Sequence, residues 1–445
     1  MIQRKALEYL LQWKVRSDRK PLVLRGARQV GKTTLVEDFA KHYDIFIHLN
    51  LERDEDRIFF EQHNDVKELI NAIFLQKNKI NKGTVLFFID EIQFSKKAIA
   101  ILRYFYEEAN YIHVITAGSL LETVIDVRKI SFPVGRVEYL AIRPCSFLEF
   151  LNGIGDDFDA DLILNFQAHI IHYKMIRLFN KYALIGGMPA AIASYAKNQD
   201  IFSLGRVYTS LLNSYKDDIE KYTNQTNIVK VIREILETGW AQAGSLVTFE
   251  KFGGTHFSSK EMSLGFQTIQ KAMLMELVYP SSSTQMPVLQ NYRQRPKLIW
   301  LDTGLVNYVA GIQKEVFSTT DIQDVWRGRI AEHIVAQELL TLDDSLLTRR
   351  IYWKRDKQGS EAEVDFIYKF ESLAIPIEVK SGHNSKLKSL HLFMDAAPHH
   401  IAVRVWSNNY SVDEVTTPNG KKFTLINLPF YYVGVLNKVL TKFIS

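Results

Sequence analysis

The chain has 445 residues, which allows two to four domains with substantial cores. An apolar fraction of 47% and a charged fraction of 24% exclude a disordered or fibrous chain, and no run approaches the roughly 20 apolar residues of a membrane span. The net charge of +5 permits a nucleic-acid partner without requiring one, and the single cysteine, Cys145, excludes a disulfide framework or a thiolate zinc site from this chain alone.

Met1 to Lys14 mixes charged and apolar residues and has no signal-peptide core, so a reducing, cytoplasmic location is expected, with no membrane partner. Ala6 to Trp13 reads as an amphipathic helix. The first 32 residues carry nine Lys or Arg against Glu8 and Asp18, a local excess suited to polyphosphate or to a nucleic-acid backbone, or equally to a solvated helix face.

Next comes the pattern on which the rest of the chain turns. Leu22, Val23 and Leu24 read as a short buried strand, and Lys32 opens an apolar-periodic helix through Phe39. Between them Gly26 and Gly31 bracket four residues, completing the GxxxxGK[ST] form of a P-loop. In such a loop Gly26, Ala27, Arg28, Gln29, Val30, Gly31, Lys32, Thr33 and Thr34 wrap the phosphates of ATP or GTP with backbone N–H groups and the helix N-terminus. Lys32 would reach the β and γ phosphates, and Thr33 would supply a hydroxyl to Mg²⁺.

A strand over Ile45 to Ile47 and a helix over Val66 to Gln76 lead to Val85–Ile89, an unbroken apolar run ending in Asp90 and Glu91. That suits a strand buried on both faces of a parallel sheet. Asp90 would hold Mg²⁺ through water, and Glu91 would orient or deprotonate the attacking water. A helix (Ser95 to Ala109) and another apolar strand (Ile112 to Ala117) follow. Ser119, with Thr116 second, is placed to sense the γ-phosphate, and either suits a capping hydroxyl equally well. Arg136 precedes a strand-like segment and is a candidate for stabilising transition-state charge on its own nucleotide or a neighbouring subunit's. A surface ion pair explains it as well. Strands alternating with helices over residues 20 to 145 predict a doubly wound α/β sheet with ligand at the C-terminal strand edge.

From 151 to 239 the pattern turns helical, for example Ile163 to Phe179 and Ser203 to Tyr222, with a break at Gly186–Pro189. Residues 240 to 300 read as a winged-helix unit. Phe249 to Phe252 would be its short helix and Ser259 to Val278 its long one, with Leu264, Ile269, Met273 and Leu277 inward and Lys260, Gln267, Gln270 and Lys271 exposed. Such a helix can enter a major groove, or serve only for packing.

Residues 301 to 445 return to α/β character. A helix from Gly328 to Leu342 contributes Glu332. Ala362–Ile367 and Ala374–Lys380 read as a hairpin that brings Asp365, Glu378 and Lys380 together, since Glu378 and Lys380 share a face. Asp365 and Glu378 holding Mg²⁺ beside Lys380, with Glu332 as a further acid, is minimal equipment for phosphodiester hydrolysis. A same-face surface ion pair between Glu378 and Lys380 is the plain alternative.

Taken together, these stretches resemble a bacterial and archaeal family of AAA-type P-loop ATPases with a C-terminal domain of unknown function. They are Arg25–Thr34, Phe87–Gln93, Ala117–Leu121, Phe132–Val137, Pro144–Leu151, Gly186–Pro189, Leu301–Leu305, Arg327–Leu339, Glu363–Phe366 and Pro376–Gly382. The resemblance implies an α/β multidomain protein: an AAA-type ATPase domain (1–150), a helical bundle (151–239), a winged helix (240–300) and a PD-(D/E)xK nuclease-like domain (301–445). It places Lys32, Thr33, Asp90 and Glu91 in the usual ATPase roles. Glu332, Asp365, Glu378 and Lys380 fall on the nuclease motif. The expected activity is ATP hydrolysis directed at DNA, with a candidate Mg²⁺-dependent nuclease site; the alternative is an ATPase switch with non-catalytic binding modules. No sensor-2 arginine can be placed, which leaves homo-oligomerisation open.

Overall fold

The computed structural model describes residues 2–118, 132–223, 225–311, 329–356, 362–380 and 387–444. Its first sheet forms where the sequence has short apolar runs. β1 (Leu22–Arg25), β2 (Ile45–Asn50), β3 (Val85–Asp90), β4 (Ile112–Ala117) and β5 (Glu138–Ala141) are all parallel, in the order β2-β3-β4-β1-β5. Successive side chains alternate between the two faces. Leu22, Leu24, Leu86 and Phe88 join Leu10, Trp13, Val36 and Phe39 of helices α1 (Ala6–Val15) and α2 (Lys32–Ala40). Val23, Phe87 and Ile89 face the other way, onto α3 (Asp54–Gln62), α4 (Val66–Gln76) and α5 (Lys96–Glu107). The doubly wound sheet expected from the sequence is therefore present, and the C-terminal ends of β1, β3 and β4 share one edge.

Helices α6 (Phe147–Ile154), α7 (Asp157–Leu164), α8 (His172–Ile185), α9 (Pro189–Asn198), α10 (Gly205–Asp217) and α11 (Ile219–Tyr222) follow. The single helix expected over Ile163–Phe179 is two helices. Phe166 adopts φ 58°, a left-handed conformation that ends one helix before the next begins.

Helix α12 (Thr226–Thr238) packs on α13 (Ser259–Lys271), which starts in a Ser258–Glu261 capping box. The helix expected to run to Val278 stops at Lys271. Met273 has φ 59° and turns the chain into β6 (Met275–Val278), which pairs antiparallel with β8 (Lys297–Trp300). Leu264, expected inward, is 39% exposed. The short helix expected at Phe249 is a single 3₁₀ turn over Phe252–Gly254.

Between those strands lies β7 (Pro280–Ser281), which pairs in parallel with β9 (Tyr352–Lys354), itself paired with β10 (Glu363–Val364). Beyond Asp302 come α14 (Thr303–Val309) and α15 (Arg329–Thr341). The last sheet has the order β11-β12-β13-β15-β14, formed by Phe366–Phe370, Leu373–Lys380, Ile401–Trp406, Lys422–Pro429 and Ser411–Thr416 respectively. β11 and β12 form the expected hairpin, and α16 (Lys388–Ala396) crosses from β12 to β13. The last helix is α17 (Leu436–Ile444). One apolar core joins Leu24 of the first sheet, Tyr182 of α8, Ile232 of α12, Val335 of α15 and Val403 of the last sheet.

Candidate functional site

The P-loop leaves β1 at Arg25 and enters α2 at Lys32. A side chain at Gly26 would put its Cβ 2.3 Å from the Ile142 carbonyl oxygen, and Gly31 has φ 91°; both positions demand glycine. Lys32 Nζ turns back on the loop and donates to the carbonyls of Gly26 (2.8 Å) and Ala27 (2.9 Å). Burial pulls its pKa down to about 8. Thr33 Oγ1 donates to Asp90 Oδ2 at 3.1 Å, so the hydroxyl and carboxylate suited to share Mg²⁺ already face each other across 57 residues of sequence. Glu91 follows in a left-handed conformation (φ 51°) and accepts from Gln93 Nε2; burial raises its pKa. His48 Nε2, on the neighbouring strand β2, lies 3.7 Å from Asp90 Oδ2. This donor set fits a magnesium–nucleotide complex: one ammonium, a row of loop N–H groups, one hydroxyl and one carboxylate, with a second carboxylate beyond them.

Two residues outside the motif hold this loop. Arg4 donates to the Val30 carbonyl (2.9 Å), to the Arg143 carbonyl (2.6 Å) and to Glu149 Oε1 (3.0 Å). Glu149 in turn caps α6 with Ser146. From the other side, buried Asp218 pairs with Arg28 and with Lys221.

Ser119 lies outside the described residues. Thr116 is buried in β4, and its Oγ1 has no hydrogen-bond partner. Arg136 is not brought to the P-loop. It precedes β5, whose Glu138 is level with Leu22 at the start of β1, whereas the P-loop leaves β1 at its other end. There Arg136 is 41% exposed and paired with Glu107 at 2.6 Å, which leaves it no route to its own chain's nucleotide. The basic N-terminal stretch is also largely engaged within the chain. Arg4 is bound as above, Arg16 pairs with Glu138 (2.6 Å), and Arg19 donates to the carbonyls of Arg16 and Asn110.

The C-terminal residues converge as expected. Phe366 faces Ile377 across the β11–β12 hairpin, so Asp365 and Glu378 are neighbours, and Asp365 Oδ2 accepts from Val379 N at 2.8 Å. Lys380 Nζ lies 2.6 Å from Glu378 Oε1. The Glu378 side chain is only 7% exposed, which removes the reading of a surface pair. Glu332 comes from the first turn of α15. Two further residues complete the cluster. Lys297 Nζ, from β8, is 2.9 Å from Glu332 Oε2, 2.6 Å from Glu363 Oε1 and 3.6 Å from Asp365 Oδ1. Burial pulls the Lys297 ammonium down, but Glu332, Asp365 and Glu363 outweigh it and leave it above its ordinary value. Glu332 and Glu378 are both raised, by burial first and then by Asp365, because the ammonium groups present do not neutralise all the acids. As placed, the cluster does not fit a metal ion: Lys297 stands among the carboxylates, and no group of three or more His, Cys, Asp or Glu among the described residues is arranged to hold one. Asp365 and Glu378 are therefore not metal ligands in this arrangement.

Sequence reading missed Arg4, Asp218, Lys297 and Glu363. Only Glu363 carried a local signal, since it stands two residues before Asp365 and so shares its side of an extended chain.

The two halves of the molecule meet on α15. Glu338 Oε1 accepts from Phe147 N (3.0 Å) and from the Tyr182 hydroxyl (2.7 Å). Gln337 accepts from Thr303 N (3.0 Å), and Asp302 accepts from the N–H groups of Gly187 and Leu305. Burial raises the pKa of Glu338 to about 7 and that of Asp302 to about 6.

Residues 18–151 match the family described as an AAA domain. With its parallel sheet and P-loop, the N-terminal part is an AAA-type P-loop ATPase domain. Residues 176–316 match a domain of unknown function (DUF8612), and residues 327–431 match another (DUF4143). The uncharacterized protein MJ1637 of Methanocaldococcus jannaschii is 21% identical over 345 residues, 72% of this chain and 68% of its own. Among solved structures, PCH-2 of C. elegans matches at 13% identity and TM-score 0.28, over 44% of this chain and 63% of its own. The ORC2 protein of Aeropyrum pernix, solved as ADPNP–ADP complexes, matches at 10% identity and TM-score 0.29, over 72% of this chain and 95% of its own. Likeness at that level assigns no activity. No helix among the described residues is long and apolar enough to cross a membrane.

Proposed function

We propose that the chain is an ATP-hydrolysing AAA-type switch directed at DNA, with ATP and Mg²⁺ as cofactors. The carrying observation is the Thr33–Asp90 pair with Glu91 beside it and Lys32 inside the loop. In this reading Lys32 leaves the Gly26 and Ala27 carbonyls for the phosphates. Thr33 and Asp90 hold the magnesium ion, which supplies charge neutralisation when bound. Glu91, with its raised pKa, holds the proton of the attacking water. The DNA-directed part is supported by α12, α13 and the antiparallel β6–β8 pair, whose order is that of a winged helix, and by the exposure of Lys260 and Gln267 on α13. Gln270 is not available for such contacts, because its side chain accepts from Leu277 N at 2.8 Å.

A second reading, a metal-dependent nuclease at the C-terminal cluster, draws on the convergence of Glu332, Asp365, Glu378 and Lys380. It requires an arrangement in which Lys297 has left the carboxylates.

The test is ATP hydrolysis and degradation of plasmid and single-stranded DNA with Mg²⁺ or Mn²⁺, comparing wild type, Lys32→Ala, Glu91→Gln and Lys380→Ala. The switch predicts ATP hydrolysis that is lost in Lys32→Ala and Glu91→Gln and unaffected in Lys380→Ala, with DNA intact throughout. Cleavage that vanishes in Lys380→Ala favours the nuclease. ATP hydrolysis that survives in Lys32→Ala rejects the switch.

A further inference from the structure

Beside the P-loop, a cavity of about 60 Å³ lies where three parts of the chain meet, room for about four to six waters or one small ion. Its walls come from Ala27 and the segment after β5, from the end of α13 with β6 and β8, and from α15 with the loop before β9. Three arginines line it, Arg143, Arg349 and Arg350, against one acid, Glu276. Glu276 is already committed. Its Oε1 accepts from Arg350 N at 3.0 Å, and its Oε2 lies 3.0 Å from Arg350 Nε and 2.9 Å from Nη2. Two positive charges are left over. Arg143 Nε is enclosed with no hydrogen-bond partner among the described residues, and no carboxylate among them pairs with Arg143 or Arg349. The next acid, Asp343, turns to its own loop and accepts from Ser345 N at 2.8 Å and from the Thr348 hydroxyl. Burial pulls the Arg143 pKa down to about 10; Glu276 raises it, and Arg350 and Arg349 press it lower. A guanidinium kept charged in such a place calls for an anion beside it. The remaining polar side chains add no acceptor. Gln337 is bonded to Thr303 N and the Tyr182 hydroxyl, and Thr341 to the Glu338 carbonyl. Gln270 gives its oxygen to Leu277 N, so its NH₂ group is what can meet a ligand.

We propose that this cavity binds the phosphoryl group of a small molecule, held by Arg143 and Arg349 with the Gln270 amide. A planar guanidinium fork meets phosphate oxygens through paired N–H donors, and a dianionic phosphate balances two arginines where a carboxylate balances one. Ile299 and Trp300 on the wall are buried, a recess that suits one phosphoryl group rather than the backbone of a duplex. The carbonyl of Arg143 accepts from Arg4, which also holds Val30, so an occupant sits against the residue that anchors the brace of the P-loop. The same occupant joins the ATPase domain to β6, β8 and α15. The inference depends on neither reading above.

The test is calorimetric titration of the full chain with inorganic phosphate, without nucleotide or Mg²⁺, in a Lys32→Ala background that removes the P-loop ammonium. One phosphate should bind. Adding Arg143→Met, which keeps the carbonyl for Arg4, or Arg349→Met should weaken it by about 10- to 100-fold, the range for losing a hydrogen bond to a charged group. In thermal melts phosphate should raise the midpoint of the Lys32→Ala parent but not that of the Arg143→Met protein. Phenyl phosphate that binds more tightly than inorganic phosphate assigns a monoester, with its organic part against Trp300 and Met273. The reverse order assigns the free anion. The proposal is overturned if the parent binds no phosphate, which leaves the arginines to water alone, or if neither arginine change weakens binding. Benzoate that binds as tightly as phosphate overturns the assignment to a phosphoryl group. Should Arg143→Met fail to fold, Arg349→Met, at an exposed position, decides the question alone.

Discussion

The guanidinium of Arg28, inside the P-loop, is ion-paired with Asp218, a carboxylate 190 residues away whose side chain is 1% exposed. Tyr215, one turn earlier, donates to the Arg28 carbonyl at 3.4 Å. The phosphate-binding loop is thus tied to the helical region that follows the ATPase sheet.

Asp218→Ala should cost about 1–2 kcal/mol of stability, less than a fully buried pair because Arg28 is 40% exposed. The loop released from Asp218 should also bind ATP more weakly. Arg28→Met/Asp218→Leu, which removes both charges, should recover most of the stability and none of the affinity. Urea unfolding and calorimetric ATP titration separate the two. An ATP affinity identical in all three proteins would refute the tie.

Lys32 makes ATP binding sensitive to pH. Burial sets its pKa near 8 in the free protein, and a bound polyphosphate holds the proton more tightly. Below pH 8 the ammonium is already formed. Above it, binding must take up a proton, so the Kd should rise by about tenfold per pH unit until the bound-state pKa is reached. Calorimetry at pH 8.5 in two buffers of different ionisation enthalpy should show net proton uptake; equal apparent enthalpies would contradict this.

Arg4 supports the loop from beneath. Arg4→Met removes donors to Val30, Arg143 and Glu149 at once and should cost about 3 kcal/mol, the range for removing one partner of a buried, hydrogen-bonded ion pair. Arg4→Lys keeps the charge without the planar fork and should fall between the two. Denaturant midpoints rank the three.

Glu338 is fully buried with a carboxyl pKa raised to about 7. A carboxyl that holds its proton more tightly when folded contributes stability that is present below the unfolded value of about 4.3 and is lost as pH rises towards 7. Glu338→Gln, which keeps the acceptor for Phe147 N and Tyr182, should therefore match wild type at pH 4 and exceed it by up to about 3 kcal/mol at pH 8. Thermal melts at the two pH values measure the difference, and a variant less stable at pH 8 would show that the charge itself is needed.

What could be read from the sequence was what is contiguous in it. The P-loop and the Asp90–Glu91 strand end are local patterns whose chemistry requires neighbours in the chain, and the β11–β12 hairpin follows from period-two alternation. Arg136 shows the limit: its sequence surroundings announce a turn before a strand but not which edge of the sheet that turn lies on. Helix ends at Phe166 and Met273 were missed because each takes a left-handed conformation without the glycine or asparagine that usually marks one. Lys297 and Asp218 became legible only once the fold had brought distant segments together.

Glu338 also bears on how the protein is made. The carboxylate that accepts from Phe147 N lies 191 residues further along the chain, and the Ala141 N–H at the open edge of the ATPase sheet is bonded to the carbonyl of Asp344. During synthesis the first domain emerges with that edge uncovered, and it waits about 10–40 s at ordinary ribosomal speeds for the segment that closes it. A nascent chain of this kind spends that interval as a natural client for chaperones. A ribosome that stalls between the two segments releases a sheet with an unpaired strand, which is a recipe for association with its own copies.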